Sequence, residues 1–92
     1  MDEEVKLPEE LRDILADAKV MCRIGQAYLE GYCLKRDSLR GVYWLRQAAN
    51  MDCPDAIETL AVCYEKGTGV IANAAIAAKL HARAQRLLEA GK

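Results

Sequence analysis

The sequence predicts an all-α fold, a short α-solenoid of two helix-turn-helix hairpins with an N-terminal lead-in helix. Three observations lead to this prediction. The 92-residue chain matches itself without a gap when it is shifted by 36 positions. Apolar and small residues recur at helical spacing within each matched unit. Alanine is abundant, aromatic residues make up 5% of the chain, and there are only two prolines, which favours close-packed helices over a sheet.

The two matched units pair residues of similar size and role. Small residues fall on small residues, tyrosine falls on tyrosine, and one helix-capping side chain falls on another. The pairs are Gly25 with Ala61, Tyr28 with Tyr64, Gly31 with Gly67, Asp37 with Asn73, Gly41 with Ala77, and Trp44 with Leu80. We expect a single domain over 1–92, with an acidic lead-in helix over 1–19, a first repeat over 20–55 and a second repeat over 56–92 that ends in a capping helix.

Each repeat is predicted to contain two helices. In the second repeat, residues 54–66 carry an apolar stripe, and Gly67 supplies the left-handed residue that ends the helix. Gly69 lies in the loop that follows. Asn73 then caps a helix over 74–90. In the first repeat, Gly31 and Asp37 have the corresponding roles.

Small residues predict where the paired helices approach each other most closely. Gly25 is expected to face Gly41, and Ala61 to face Ala77, because small side chains allow a short distance between helix axes. The aromatic side chains expected to fill the wider layers between the hairpins are Tyr28, Trp44 and Tyr64.

The lead-in segment has an apolar stripe of its own. Leu11, Ile14 and Leu15 would form the apolar side of a short helix that begins near Pro8. The same stripe also fits one long helix that continues through Asp17 into the first repeat. The sequence leaves both possibilities open.

Charge and hydropathy argue against several classes of function. The chain begins with acidic residues where a signal peptide is basic, and it contains no apolar run of the ~20 residues that a membrane span needs. We therefore predict a cytoplasmic protein with no membrane partner. Lys35, Arg36 and Arg40 form a basic cluster without interleaved aromatic residues, and the net charge is −1. No nucleic-acid partner is predicted.

Four cysteines and one histidine are candidates for a metal site or a reactive pair. The cysteines are Cys22, Cys33, Cys53 and Cys63, and no two of them form a C-x-x-C motif. The histidine is His81. We interpret the cysteines as reduced thiols that act as small apolar residues, and we predict no metal and no cofactor.

These residues resemble the Sel1-like repeat, a relative of the tetratricopeptide repeat. The first unit carries the resemblance at Ile24, Gly25, Tyr28, Gly31, Leu34, Asp37, Gly41, Trp44, Ala48 and Ala49. The second carries it at Ala56, Leu60, Ala61, Tyr64, Gly67, Gly69, Val70, Asn73, Ala77 and Ala84. Cys33 departs from the pattern because it stands where the family has its second loop glycine, so we expect the first loop to differ in shape. Leu80 and His81 replace an aromatic pair.

The resemblance implies a non-catalytic adaptor or scaffold that binds another protein. In this family the first helix of each hairpin lines the concave side of the solenoid. The candidate partner-binding residues on those helices are Arg23, Gln26, Glu30, Thr59, Val62 and Lys66. Homo-oligomerisation is also possible, because two repeats fall below the usual three that make a stable stack.

Two other functions are weighed against the adaptor. A small chaperone would need an exposed apolar groove, for which Met21, Leu29 and Val62 are the candidates. Burial of Met21, Cys22 and Leu29 would instead favour the polar adaptor surface. A hydrolase would need a cysteine activated by His81, but no Asp or Asn is evidently placed to orient the imidazole.

Overall fold

Residues 17–91 form four helices in a computed structural model of the protein. These are Ala18–Glu30 (α1), Ser38–Asn50 (α2), Pro54–Lys66 (α3) and Ala74–Ala90 (α4). Helices α1 and α2 pack as one hairpin and α3 and α4 as another, while α3 also contacts both helices of the first hairpin. No strand occurs within residues 17–91. The predicted all-α fold of two stacked hairpins is confirmed.

Short polar side chains start three of the four helices. Asp37 Oδ1 accepts a hydrogen bond from the Arg40 amide at 3.1 Å, and Asn73 Oδ1 accepts one from the Ile76 amide at 3.1 Å. The N-cap of α3 is Cys53, which makes no side-chain cap bond, and α3 begins with a proline. The hydrogen bonds to Asp37 and Asn73 satisfy backbone amide groups that would otherwise have no partner at the start of a helix.

Helix α1 begins at Ala18 and is not the continuation of a longer helix. Asp17 has extended backbone angles, φ −77° and ψ 127°, and its carboxylate accepts a hydrogen bond from the Lys19 amide at 2.8 Å. The alternative of one long helix through Asp17 is therefore wrong, because the side chain caps a new helix there. The rest of the predicted lead-in segment, residues 1–16, lies outside the described residues.

The turns of the two hairpins have the same backbone course. Gly31 and Gly67 end α1 and α3 in the left-handed region, with φ values of 72° and 75°. Cys33 has a φ of 64°, close to the 73° of its counterpart Gly69. The expectation that the first loop differs in shape is wrong, because Cys33 adopts the left-handed conformation that the glycine adopts. Its side chain is exposed, so the solvent side leaves room for it.

The core is built from small and medium apolar side chains. Leu45 and Ile57 are the largest fully buried ones. Alanines fill much of the remaining interior, at positions 48, 49, 56, 61, 77 and 84. Trp44 and Tyr64 are half-buried and pack against this core, and the Trp44 ring meets the Tyr43 ring edge-on at 5.8 Å.

Glycines allow α1 and α2 to approach each other closely. A Cβ atom added to Gly25 would lie 2.8 Å from the Gly41 carbonyl oxygen, and one added to Gly41 would lie 2.9 Å from the Gly25 carbonyl oxygen. Because both obstacles are backbone atoms, neither can move aside without shifting a helix.

Candidate functional site

The six candidate partner-binding residues lie on α1 and α3, and none of them is fully buried. Arg23, Glu30 and Lys66 are exposed. Gln26 and Thr59 are half-buried. Val62 keeps 37% of its surface exposed, which is high for an apolar side chain on a packed helix. We call the surface that carries these six residues the α1–α3 face.

A hydrogen bond joins the two halves of the α1–α3 face. Gln26 Nε2 on α1 donates to Thr59 Oγ1 on α3 at 3.0 Å, and the Thr59 hydroxyl donates to the Asp55 carbonyl oxygen at 2.9 Å. The amide and the hydroxyl therefore orient each other across the boundary between the repeats. Two residues predicted separately from the sequence register are in direct contact.

An apolar groove of about 480 Å³ runs along one side of α1. Arg23, Gln26 and Glu30 form its polar border. The side chains that make it apolar are those of Val20, Ile24, Ala27, Tyr32, Cys33 and Leu34. Sequence reasoning missed this groove. The 36-residue repeat contained a signal for this groove. Val20 and Ile24 correspond to Ala56 and Leu60, which are buried in the second hairpin.

A second cleft, of about 350 Å³, lies between α1 and the start of α3. It shares Arg23 and Gln26 with the apolar groove, and Lys19 and Asp55 add one charge of each sign. The three predicted residues of the second repeat, Thr59, Val62 and Lys66, border neither cleft. Of the six candidates, Arg23 and Gln26 are therefore the two that border both clefts.

The apolar groove that we considered for a chaperone does not form. Met21 is 8% exposed and Cys22 3%, and Leu29 is half-buried against the core. Of the candidates for that groove only Val62 is exposed, because the others pack inside the first hairpin. Burial of Met21 and Cys22 thus removes the groove that was predicted from these residues.

The cysteine–histidine pair of the hydrolase hypothesis is not assembled either. His81 Nδ1 lies 2.6 Å from Glu58 Oε1, and His81 Nε2 lies 2.9 Å from Glu65 Oε2, so both ring nitrogens are occupied by carboxylates. Burial raises the pKa of the Cys22 thiol to about 11 and also raises the pKa of Cys63. Thiols that hold their protons are weak nucleophiles.

The four cysteines are dispersed over the described part of the chain. Cys22, Cys53 and Cys63 are buried and Cys33 is exposed, all as free thiols. Within residues 17–91 no group of three or more His, Cys, Asp and Glu side chains is arranged to hold a metal ion. None of the helices from 18 to 90 combines the length and the apolarity that crossing a bilayer requires.

Comparison with known proteins identifies the repeat. The family profile described as Sel1 repeat matches residues 18–53 and 54–86, more than half of the chain. The chain belongs to the Sel1 repeat family. Each matched segment covers one of the two hairpins, so the family unit and the structural unit coincide. Sel1 repeats are generally protein–protein interaction modules.

A solved Sel1 repeat protein has a closely similar structure. It is the Sel1 repeat protein from Oxalobacter formigenes, with 31% sequence identity and a TM-score of 0.78. The similarity covers 80% of this chain and 30% of that one, so the present chain spans less than a third of its relative. No curated protein matches the sequence.

Proposed function

We propose that this Sel1 repeat chain is an adaptor or scaffold module that binds a partner polypeptide on the α1–α3 face. The hydrogen bond between Gln26 and Thr59 is the observation that carries the proposal. It makes one continuous surface out of two repeats, and a continuous surface is what an extended or helical partner segment needs.

The composition of the α1–α3 face fits protein recognition. Arg23 and Lys66 are exposed cations, and Glu30 is an exposed carboxylate. Charges of both signs steer and orient a partner, while the apolar groove beside Arg23 offers area that gains free energy when it is covered. A partner that places charged side chains along the face and an apolar side chain in the groove uses both features.

The proposal is tested by affinity capture with a charge-reversed variant. The tagged chain is compared with a double variant that carries Arg23→Glu and Lys66→Glu. A matched control carries Lys79→Glu and Arg86→Glu, two exposed positions on α4 that undergo the same change in charge. We expect a protein that is retained by the parent and by the control to be lost from the Arg23 and Lys66 variant.

Two results contradict the proposal. Equal retention by all three chains would place the binding surface elsewhere on the molecule. Loss from both double variants would show that net charge, and not the α1–α3 face, controls binding. Circular dichroism of each variant verifies that the helices are intact, and a retained untagged copy of the chain itself identifies a homo-oligomer.

A further inference from the structure

His81 lies between two carboxylates that belong to a different helix. It projects from α4, whereas Glu58 and Glu65 stand two helical turns apart on α3. The two nitrogen–oxygen distances, 2.6 Å and 2.9 Å, are both within hydrogen-bonding range. An ionised carboxylate only accepts hydrogen bonds, so each ring nitrogen must donate. When both carboxylates are ionised, this geometry favours the doubly protonated, positively charged imidazolium.

The first hairpin has an apolar cluster at the corresponding positions. In the 36-residue register, His81 falls on Leu45, Glu58 on Cys22 and Glu65 on Leu29. Leu45 is fully buried, Cys22 is 3% exposed, and Leu29 packs against the core. One helix contact of the solenoid is thus apolar in the first hairpin and ionic in the second. An apolar contact does not depend on pH, whereas this ionic one depends on a single proton.

We propose that His81 is a proton-operated clasp that fastens α4 to α3, and that the second hairpin loosens when the imidazolium loses its proton. Within residues 17–91, α3 is the only helix that packs against α4. The charged groups that face His81 from α3 are Glu58 and Glu65. On α4 itself, Arg83 is directed away from His81, toward Asp52 and the Ala49 carbonyl oxygen.

Deprotonation removes the charge attraction and one of the two hydrogen bonds. The hydrogen bonds to Glu65 and Glu58 raise the pKa of His81 above its ordinary value of 6.5. Because the pKa of His81 is higher in the folded state than in the unfolded chain, the clasp contributes its full stability at pH values below the unfolded-state pKa. This contribution to stability is lost as the pH rises through the folded-state pKa of His81. Above that pH a neutral imidazole donates only one hydrogen bond, so one of the two carboxylates has no donor.

The sole histidine of the chain makes the titration unambiguous. The imidazole Cε1–H resonance is followed by NMR from about pH 5 to about pH 9. We expect a midpoint above 6.5 in the parent, and a lower midpoint in Glu65→Gln and in Glu58→Gln. Glu89→Gln removes a charge from α4 at a residue outside the cluster, and it should leave the midpoint unchanged. A parent midpoint at or below 6.5 overturns the proposal.

Amide hydrogen exchange tests whether the proton controls the docking of α4. After correction for the intrinsic pH dependence of exchange, protection of α4 amides should fall as the pH rises through the midpoint. The expected fall is about tenfold for each unit by which the midpoint exceeds 6.5. Protection of α1 amides should change less. In His81→Gln, α4 protection should no longer depend on pH. Parent protection of α4 that stays constant through the midpoint overturns the clasp even if the midpoint is raised.

Discussion

At the scale of single residues, Gly25 and Gly41 set the distance between the helices of the first hairpin. A methyl group on either one would come within 3 Å of a carbonyl oxygen on the other helix. The side chains that surround this contact, those of Leu29 and Leu45, are already packed against it. The second hairpin has Ala61 and Ala77 at the same positions, and both are buried. The first hairpin is therefore the one in which the absence of a Cβ atom is required.

Gly41→Ala tests this contact. We expect a loss of about 1–3 kcal/mol in the free energy of unfolding, because the added methyl group must displace α1. Urea denaturation followed by helical circular dichroism measures it. Gly91→Ala is the matched control, since a methyl group there has no neighbour nearer than 3.5 Å and the backbone φ is −82°. Equal stability of Gly41→Ala and the parent would mean that α1 and α2 are not in close contact at this residue.

Cys33 shows at the same scale where sequence reasoning fails. A cysteine in a loop glycine position indicated a different turn, because side chains with a Cβ atom avoid the left-handed region. The rest of the turn determines the backbone instead. The Asp37 amide donates to the Tyr28 carbonyl oxygen at 2.9 Å, and the equivalent bond in the second hairpin, from Asn73 to Tyr64, is 2.8 Å. The hydrogen bonds of the turn are retained, and Cys33 adopts the conformation that they require.

At the scale of secondary-structure elements, the sequence predicts the helices well because their boundaries are local. Asp37, Asn73, Gly31 and Gly67 each act within a few residues of their own position. Contacts between helices are harder to predict. The ion cluster of His81 joins residues 16 and 23 positions apart, and no local pattern distinguishes it from ordinary surface charge. Only the packing of α3 against α4 brings its members together.

Arg83 makes another contact between distant residues, because it joins α4 to the turn between the hairpins. Its guanidinium donates to the Ala49 carbonyl oxygen at 3.0 Å and to Asp52 Oδ1 at 2.6 Å. Asp52 has a positive φ of 59°, a conformation that aspartate tolerates better than most residues. The same side chain thus binds the end of α2 and pairs with Asp52 in the turn that follows.

A double-mutant cycle of Arg83→Met and Asp52→Asn measures this tie. Both side chains are partly exposed, so we expect a coupling energy of about 0.5–1 kcal/mol. Asparagine is used because it also tolerates the left-handed region. Chemical denaturation of the parent, the two single variants and the double variant supplies the four values. Because asparagine keeps an acceptor oxygen, a coupling energy of zero would show that the charge on Asp52 contributes nothing to joining the hairpins.

At the scale of the whole molecule, the two ends of the described stack differ in polarity. Beside α1 the surface is an apolar groove that includes Val20, Ile24 and Leu34. On α4, half-buried His81 and exposed Gln85 occupy the positions that correspond to Leu45 and Ala49 in the first repeat, and Leu45 and Ala49 are both buried. In the first hairpin Leu45 packs against Gly25 of α1, and the Ala49 carbonyl oxygen accepts a hydrogen bond from Arg83 of the second hairpin. The sequence contained this difference, but only the structure shows which positions one repeat covers on the next.

The α1–α3 face crosses the boundary between the repeats and is central to the proposed function. Four of its six residues, Arg23, Glu30, Val62 and Lys66, are exposed. The sequence register placed them by analogy between repeats, and the contact from Gln26 to Thr59 supports that placement. The partner could not be predicted from the sequence, since binding residues gain their specificity from a surface that belongs to another molecule.

Site-specific photo-crosslinking tests the face most directly. A photoreactive side chain is introduced at Val62, which lies on the α1–α3 face, and in a separate chain at Ala82, an exposed position on α4. Both chains are irradiated with the partner recovered by affinity capture. A crosslink from position 62 without one from position 82 is the predicted result. A crosslink from position 82 alone would place the partner on α4 and contradict the proposed binding face.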